Sequence, residues 1–359
     1  MNVAAMLRSI TVPAVAVMGL STPAAAHPPQ CSTALWPDTD FHAALDERPL
    51  LRKTLRRQAT QALRRQPAPV ITLRSAGIAD RNDPALRATR RAFRDADDAV
   101  NLALAYLIFH DHPYLLHSQQ ILRRWAAINE PTGHPIDETR LQGLIWAYAL
   151  ICDTLSPEDR AAVVNYFDKM HKAKSAWKFG PRTRHNNHRT HQLKMLVLLD
   201  RVLALPGRDT RVDELRSHLK RNLQPDHGES VDYRQRDALF YHVYNLEAWL
   251  EIELLTRCCT RPVSAAFRFA ADKILRQDIG QEFHNTTVDL DRARHQAGFA
   301  TVRIDSDYDT RRFARSILVF ATLAGDSAVP EPLWAIADDK SVAGKTVFYQ
   351  IRRRVWRRP

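Results

Sequence analysis

Residues 186–205 read NNHRTHQLKMLVLLDRVLAL, and this stretch decides the fold. From Gln192 to Leu205 the sequence is apolar around most of the helical turn, the pattern of a helix buried on nearly every side. Just before it stand Asn186 and Asn187, whose short side-chain oxygens suit an N-cap, because they can accept from the orphan N–H groups of a first turn. A helix N-terminus carries positive potential and favours a bound anion. Arg184, His185, His188, Arg189 and His191 crowd the same place. Asn and His donors gathered there predict a carboxylate site. A cap flanked by surface histidines is the plainer alternative.

Similar segments lie on both sides. Helices are expected over Phe41–Arg65, Asp95–His110 and Tyr114–Asn129. A further one opens at Asp137 or Glu138, and another after Ser156-Pro157, where Ser suits the N-cap and Pro the first helical position. Beyond the central helix come Asp209–Leu223, Arg236–Thr256, Ser264–Gln277 and Arg311–Leu323, with a polar, weakly patterned stretch from Phe283 to about Asp309. Strand signals are few, and no fixed repeat marks a solenoid. The expectation is an all-α chain whose antiparallel helix pairs form a toroid or incomplete barrel around a groove.

The ends read differently. Residues 1–26 carry Arg8, an apolar run from Ile10 to Leu20 and Ala24-Ala25-Ala26, the pattern of a signal peptide cut after Ala26. An exported, periplasmic or secreted protein is expected. Residues 27–345 are assigned to one domain, and residues 346–359, including IRRRVWRRP, to a solvated basic tail. No later run is apolar enough to span a bilayer. An oxidising compartment permits disulfides. Cys31 with Cys152, and Cys258 with Cys259, are candidate pairs, and spacing does not decide between them and free thiols.

The formal net charge is +12. A basic exported protein steers toward polyanions, and outside the cytoplasm acidic polysaccharide is the expected partner rather than nucleic acid, for which no motif is present. A monomer is expected.

A second dense polar segment, GESVDYRQRDALFYHVYNLE, spans residues 228–247. Read as helix from Arg236, it puts Asp237, Tyr241 and Tyr244 on one face. Arg234 and Tyr241 make a second Arg–Tyr pair at seven residues. The alternative is a tyrosine pair packed inside with satisfied hydroxyls. The two segments together fit β-elimination beside a uronic acid. That chemistry needs a neutralised carboxylate, a base for the adjacent C–H and an acid for the departing oxygen. A tyrosine near an arginine is expected to have its pKa lowered toward a working range.

NNH opening an apolar helix, with an A-L-x-Y-H-x-Y segment some fifty residues on, resembles the alginate lyase family of polysaccharide lyases. Residues 125–148, WAAINEPTGHPIDETRLQGLIWAY, are similar to the same family. The resemblance covers about Asp95–Thr256 and implies an α/α toroid that cleaves polyuronates without a cofactor or metal. It implies that Asn187 and His188 bind the carboxylate, with His188 also a potential base. Tyr244 would be base and acid, and Arg236 its helper. The family's arginine directly precedes Ala-Leu; here that position is Asp237, and Arg236 falls one residue earlier.

Asn186, Tyr241, Arg234, His134 and Trp177 are candidate substrate contacts. His185, His188 and His191 sit three apart, a weaker metal pattern than four-residue spacing with a carboxylate. Asp137 and Glu138 are adjacent and diverge by about 100° on a helix, which disfavours a glycosidase pair. A glucuronan or glycosaminoglycan lyase of the same fold is one alternative function. A non-cutting acidic-polysaccharide binder is another.

Overall fold

A computed structural model describes residues 48–356, together with Cys31, Leu35, Trp36, Phe41 and Leu45. The predicted signal peptide lies outside the described residues. Fourteen α-helices occur among them: α1 (Pro49–Leu63), α2 (Pro84–Phe109), α3 (His112–Ile128), α4 (Gln142–Ile151), α5 (Pro157–Ala176), α6 (Asn187–Val202), α7 (Arg208–Asn222), α8 (Val231–Arg236), α9 (Leu239–Thr256), α10 (Thr260–Leu275), α11 (Asp289–Gln296), α12 (Ala314–Ala324), α13 (Trp334–Ala337) and α14 (Ala343–Val355). No helix among them is long and apolar enough to cross a membrane.

The helices form two layers. α2, α4, α6, α9, α12 and α14 pack each on the next, and α14 returns to α1 and α2, so the inner ring closes. α3, α5, α7 and α10 flank it, each against an inner neighbour. The sequence explains the division. α4 is QGLIWAYALI, buried at Gly143, Leu144, Ile145, Trp146, Ala147 and Tyr148, and α6 is buried continuously from Thr190 to Leu199. α7, RDTRVDELRSHLKRN, is largely charged and lies outside. Gly143 lets α4 approach α2: a Cβ there would stand 2.3 Å from the Ala96 carbonyl oxygen. The predicted α/α toroid is therefore the observed fold.

Capping follows the sequence at Ser156, whose side chain accepts from Asp159 N–H, and at Asn186. Two expectations fail. The helix predicted over Arg236–Thr256 is broken at Asp237, which adopts a left-handed φ of 47° and closes α8. Asp tolerates that region better than most residues. α9 restarts at Leu239, its Leu239 and Phe240 N–H groups capped by the Glu282 carboxylate at 2.5 and 3.0 Å.

The basic tail is the other correction. Residues 343–355 form α14, with Val347, Phe348, Ile351 and Val355 in the core. Arg352 is wholly buried and binds both oxygens of the Glu251 carboxylate, at 2.8 and 2.9 Å. An arginine-rich string looks solvated in sequence, but its apolar residues recur at helical spacing and its central arginine has a buried acid to meet. The segment belongs to the domain. The structure joins Cys31 to Cys152 and Cys258 to Cys259.

Candidate active site

The site is built on the first turns of α6 and α9, which pack together. Asn186 caps α6: its Oδ1 accepts His188 N–H at 3.0 Å and its Nδ2 donates to the Arg182 carbonyl at 3.2 Å. Asn186 therefore caps α6 with its oxygen, and one of its two amide hydrogens is taken by the Arg182 carbonyl. Asn187 donates its backbone N–H and its Nδ2 to the two oxygens of buried Asp232, at 2.8 and 2.7 Å. One amide hydrogen stays free, and the buried Oδ1 has no partner. Burial raises the Asp232 pKa to about 7 against the pull of Arg236.

His188 is half-buried and meets His134 edge-on, ring centroids 6.1 Å apart; His134 meets Trp177 at 4.9 Å. Burial, then His134 and Arg236, lower the His188 pKa to about 4, so the imidazole is neutral at pH 7. The loop carrying His134 is held from behind. Glu138 accepts Thr132 N–H, Thr132 Oγ1–H and Gly133 N–H, and pairs with buried Lys174 at 3.0 Å. Gly133 has φ of +81°, and a Cβ there would stand 2.2 Å from the Ala173 carbonyl oxygen. Asp137 accepts from Ser75 N–H, Ser75 Oγ–H and Ala76 N–H. Both adjacent carboxylates are scaffolding.

Arg236 is buried, ion-paired with Asp291, its guanidinium 3.8 Å above the Tyr241 ring centroid. Tyr241 is buried too, edge-on to Phe283. Arg234 is exposed and lies 3.5 Å from Glu229. The break at Asp237 separates it from α9, so the predicted Arg234–Tyr241 pair does not form.

Tyr244, one turn beyond Tyr241, is half-buried in the lining of a cavity of about 1080 Å³. Around it stand His191, Lys194, Arg140, Glu247, Arg315 and Tyr308, and Arg94, Arg311, Arg312, Lys340 and Lys345 also line the opening. The phenol departs from expectation. Burial, then Glu247, raise its pKa; Arg140 and Arg315 oppose them without prevailing. The protein thus presents a neutral phenol. Sequence reading missed His191 as a neighbour of Tyr244, although its place one turn after His188 on the same face was the available signal. Arg140, Glu247 and Arg315 carried no local pattern. Among the described residues, the histidine triplet brings no three metal-ligating atoms together; the groups that do so contain disulfide cysteines.

A cationic groove in a helical toroid, with a phenol and the neutral imidazole of His191 in its wall, defines a polysaccharide lyase. The sequence profile of the alginate lyase family matches residues 42–257, and the chain belongs to that family. In fold it is similar to an alginate lyase from Bacteroides ovatus, with TM-score 0.60 and 16% identity over 87% of this chain and 99% of that one. It is also similar to alginate lyase A1-III from Sphingomonas species A1, with TM-score 0.50 and 13% identity over 84% and 92%. No curated protein matches it in sequence.

Proposed function

We propose that this protein is an exported lyase that cuts β-1,4 bonds of a polyuronate, alginate foremost, by β-elimination without a metal. The observation that carries the reading is Tyr244, a neutral phenol in the wall of a cationic cavity, its ring against that of His191, which stands one turn along α6 from the free-base imidazole of His188.

The free amide hydrogen of Asn187 receives the uronate carboxylate and stabilises the enolate that develops on it. His188 takes the C5 proton. The electron pair of that C–H bond forms the C4–C5 double bond, the C4–O4 bond breaks, and Tyr244 gives its proton to O4. Proton exchange with solvent restores imidazole and phenol. Burial, with His134 and Arg236, keeps His188 neutral, and Arg236 supports Tyr241. His134 and Trp177 flank the sugar, and the arginines and lysines of the opening hold further carboxylates of the chain.

A second reading gives both proton transfers to Tyr244, with His188 joining Asn187 on the carboxylate. Its support is that Arg140 and Arg315 pull the phenol toward ionisation.

The test is ultraviolet absorbance on polymannuronate, polyguluronate, glucuronan and a glycosaminoglycan, with and without a strong chelator. Elimination leaves an absorbing unsaturated uronate. A chelator-insensitive rise on the alginate polymers is expected; a rise on glucuronan or the glycosaminoglycan alone reassigns the substrate. A flat trace with tight, salt-sensitive binding makes the protein a non-cutting binder.

A further inference from the structure

One wall of the cavity holds donors that no group of the protein meets with full hydrogen-bond geometry. His191 is only 3% exposed. Its Nδ1 lies 2.8 Å from Thr139 Oγ1, and its Nε2 is buried with no hydrogen-bond partner. The Thr139 hydroxyl bears on where the ring proton sits. Lys194 Nζ donates to Thr139 Oγ1 at 2.7 Å and to the Thr139 carbonyl at 3.2 Å. With its oxygen accepting from lysine, the hydroxyl has its own hydrogen left to donate, and His191 Nδ1 is the acceptor within reach. Burial, then Lys194 and Arg315, keep the imidazole neutral. That pairing assigns the ring proton to Nε2.

A buried N–H without an acceptor has lost its water and gained nothing in return, which makes such a group a marker for a ligand that supplies the acceptor. The Tyr244 backbone acts on the His191 ring as a weak hydrogen-bond acceptor, and its approach falls short of full hydrogen-bond geometry at Nε2. The orphan is not isolated. Arg315 Nε, in the lining of the same cavity, is also buried and unpartnered. Both residues adjoin the reacting phenol: the His191 ring lies against the Tyr244 ring, centroids 4.1 Å apart at 34°, and the Arg315 charge acts on Tyr244. Two unpartnered donors on residues lining one cavity call for an oxygen acceptor, not a cation.

We infer that His191 is a substrate-binding residue of this chain: its Nε2–H donates to an oxygen of the acidic sugar seated against Tyr244. Thr139 and Lys194 are positioning residues that hold the ring in that tautomer. The inference rests on the polyuronate reading above.

The test uses the full chain carrying Tyr244→Phe, titrated calorimetrically with tetrasaccharides of mannuronate, guluronate and glucuronate. Adding His191→Phe keeps an aromatic ring at the position and removes the donor. Binding should weaken roughly tenfold, the scale of one lost hydrogen bond. His191→Gln, which restores an N–H, should recover most of the loss. In the otherwise unaltered protein, ¹⁵N spectra of the His191 ring should show the Nε2–H form, and Thr139→Val should shift it toward a mixture. Equal affinity with and without His191→Phe, or an Nδ1–H ring in the unaltered protein, overturns the inference while the lyase reading stands. If Tyr244→Phe binds none of the three and the wild type yields no unsaturated product, both fall.

Discussion

The Arg236 guanidinium lies 3.8 Å above the ring of Tyr241, not against Tyr244, and its charge is tied to buried Asp291. The arginines acting on the Tyr244 phenol are Arg140 and Arg315. Arg236 is therefore part of the frame. Arg236→Gln leaves Asp291 buried without its cation and should cost about 3–5 kcal/mol of stability. Arg236→Gln with Asp291→Asn should recover most of that and keep elimination within about tenfold of wild type. Urea unfolding and initial rates on the three proteins decide. A folded double variant that is catalytically dead would return Arg236 to the chemistry.

The misplacement of Arg236 shows where sequence reading reaches its limit. Helix spacing located α6, its cap and both polar segments, because burial and capping are local signals written every three or four residues. The turn at Asp237 depends on a tertiary partner, since α9 is capped by Glu282 more than forty residues downstream. No local pattern announces that. The same limit hid Arg140 and Arg315, which reach Tyr244 from elements distant in sequence. It also disguised Arg352 as tail, because its partner Glu251 lies on α9.

Arg352 gives the next prediction. Arg352→Met removes one half of a wholly buried ion pair and leaves Glu251 with only the longer contact from Arg315, 3.5 Å away. Stability should fall by about 3–5 kcal/mol. Arg354→Ala, on the exposed side of the same helix, should change it by less than about 0.5 kcal/mol. Calorimetric melting of the two variants separates them. Equal, small losses would restore the tail.

Acid stability should depend on His242. The ring is fully buried, with Nδ1 3.1 Å from Ser230 Oγ and Nε2 3.0 Å from the Ala266 carbonyl, and burial lowers its pKa to about 4. Unfolded, it titrates near about 6.5. Between those values the unfolded chain binds the extra proton, so this contribution to stability falls as pH drops and levels off below about 4. From pH 7 to pH 5 the loss is about 2 kcal/mol for this one group. His242→Gln should be less stable at pH 7, yet lose about 2 kcal/mol less than wild type on going to pH 5. Parallel losses in the two proteins, measured by urea midpoints at both pH values, would show that the ring does not titrate as described.

The last prediction separates the two assignments of the base. Tyr244→Phe should lower kcat by about 10³-fold under either, because both need its proton at O4. The pH dependence of kcat/KM differs. With His188 as base, the free-enzyme group that must lose a proton has a pKa of about 4, so activity should fall on the acid side near that value and be level through neutrality. With Tyr244 as base, the phenolate must form first, and its pKa is raised above the ordinary value by burial and Glu247. Activity would then climb about tenfold per pH unit through neutrality and beyond about pH 10. Glu247→Gln sharpens the distinction by removing a charge that opposes the phenolate. It should raise the rate at pH 7 if Tyr244 is the base. If His188 is the base, it should leave the acid limb where it was. A level profile that Glu247→Gln does not lift assigns the C5 proton to His188.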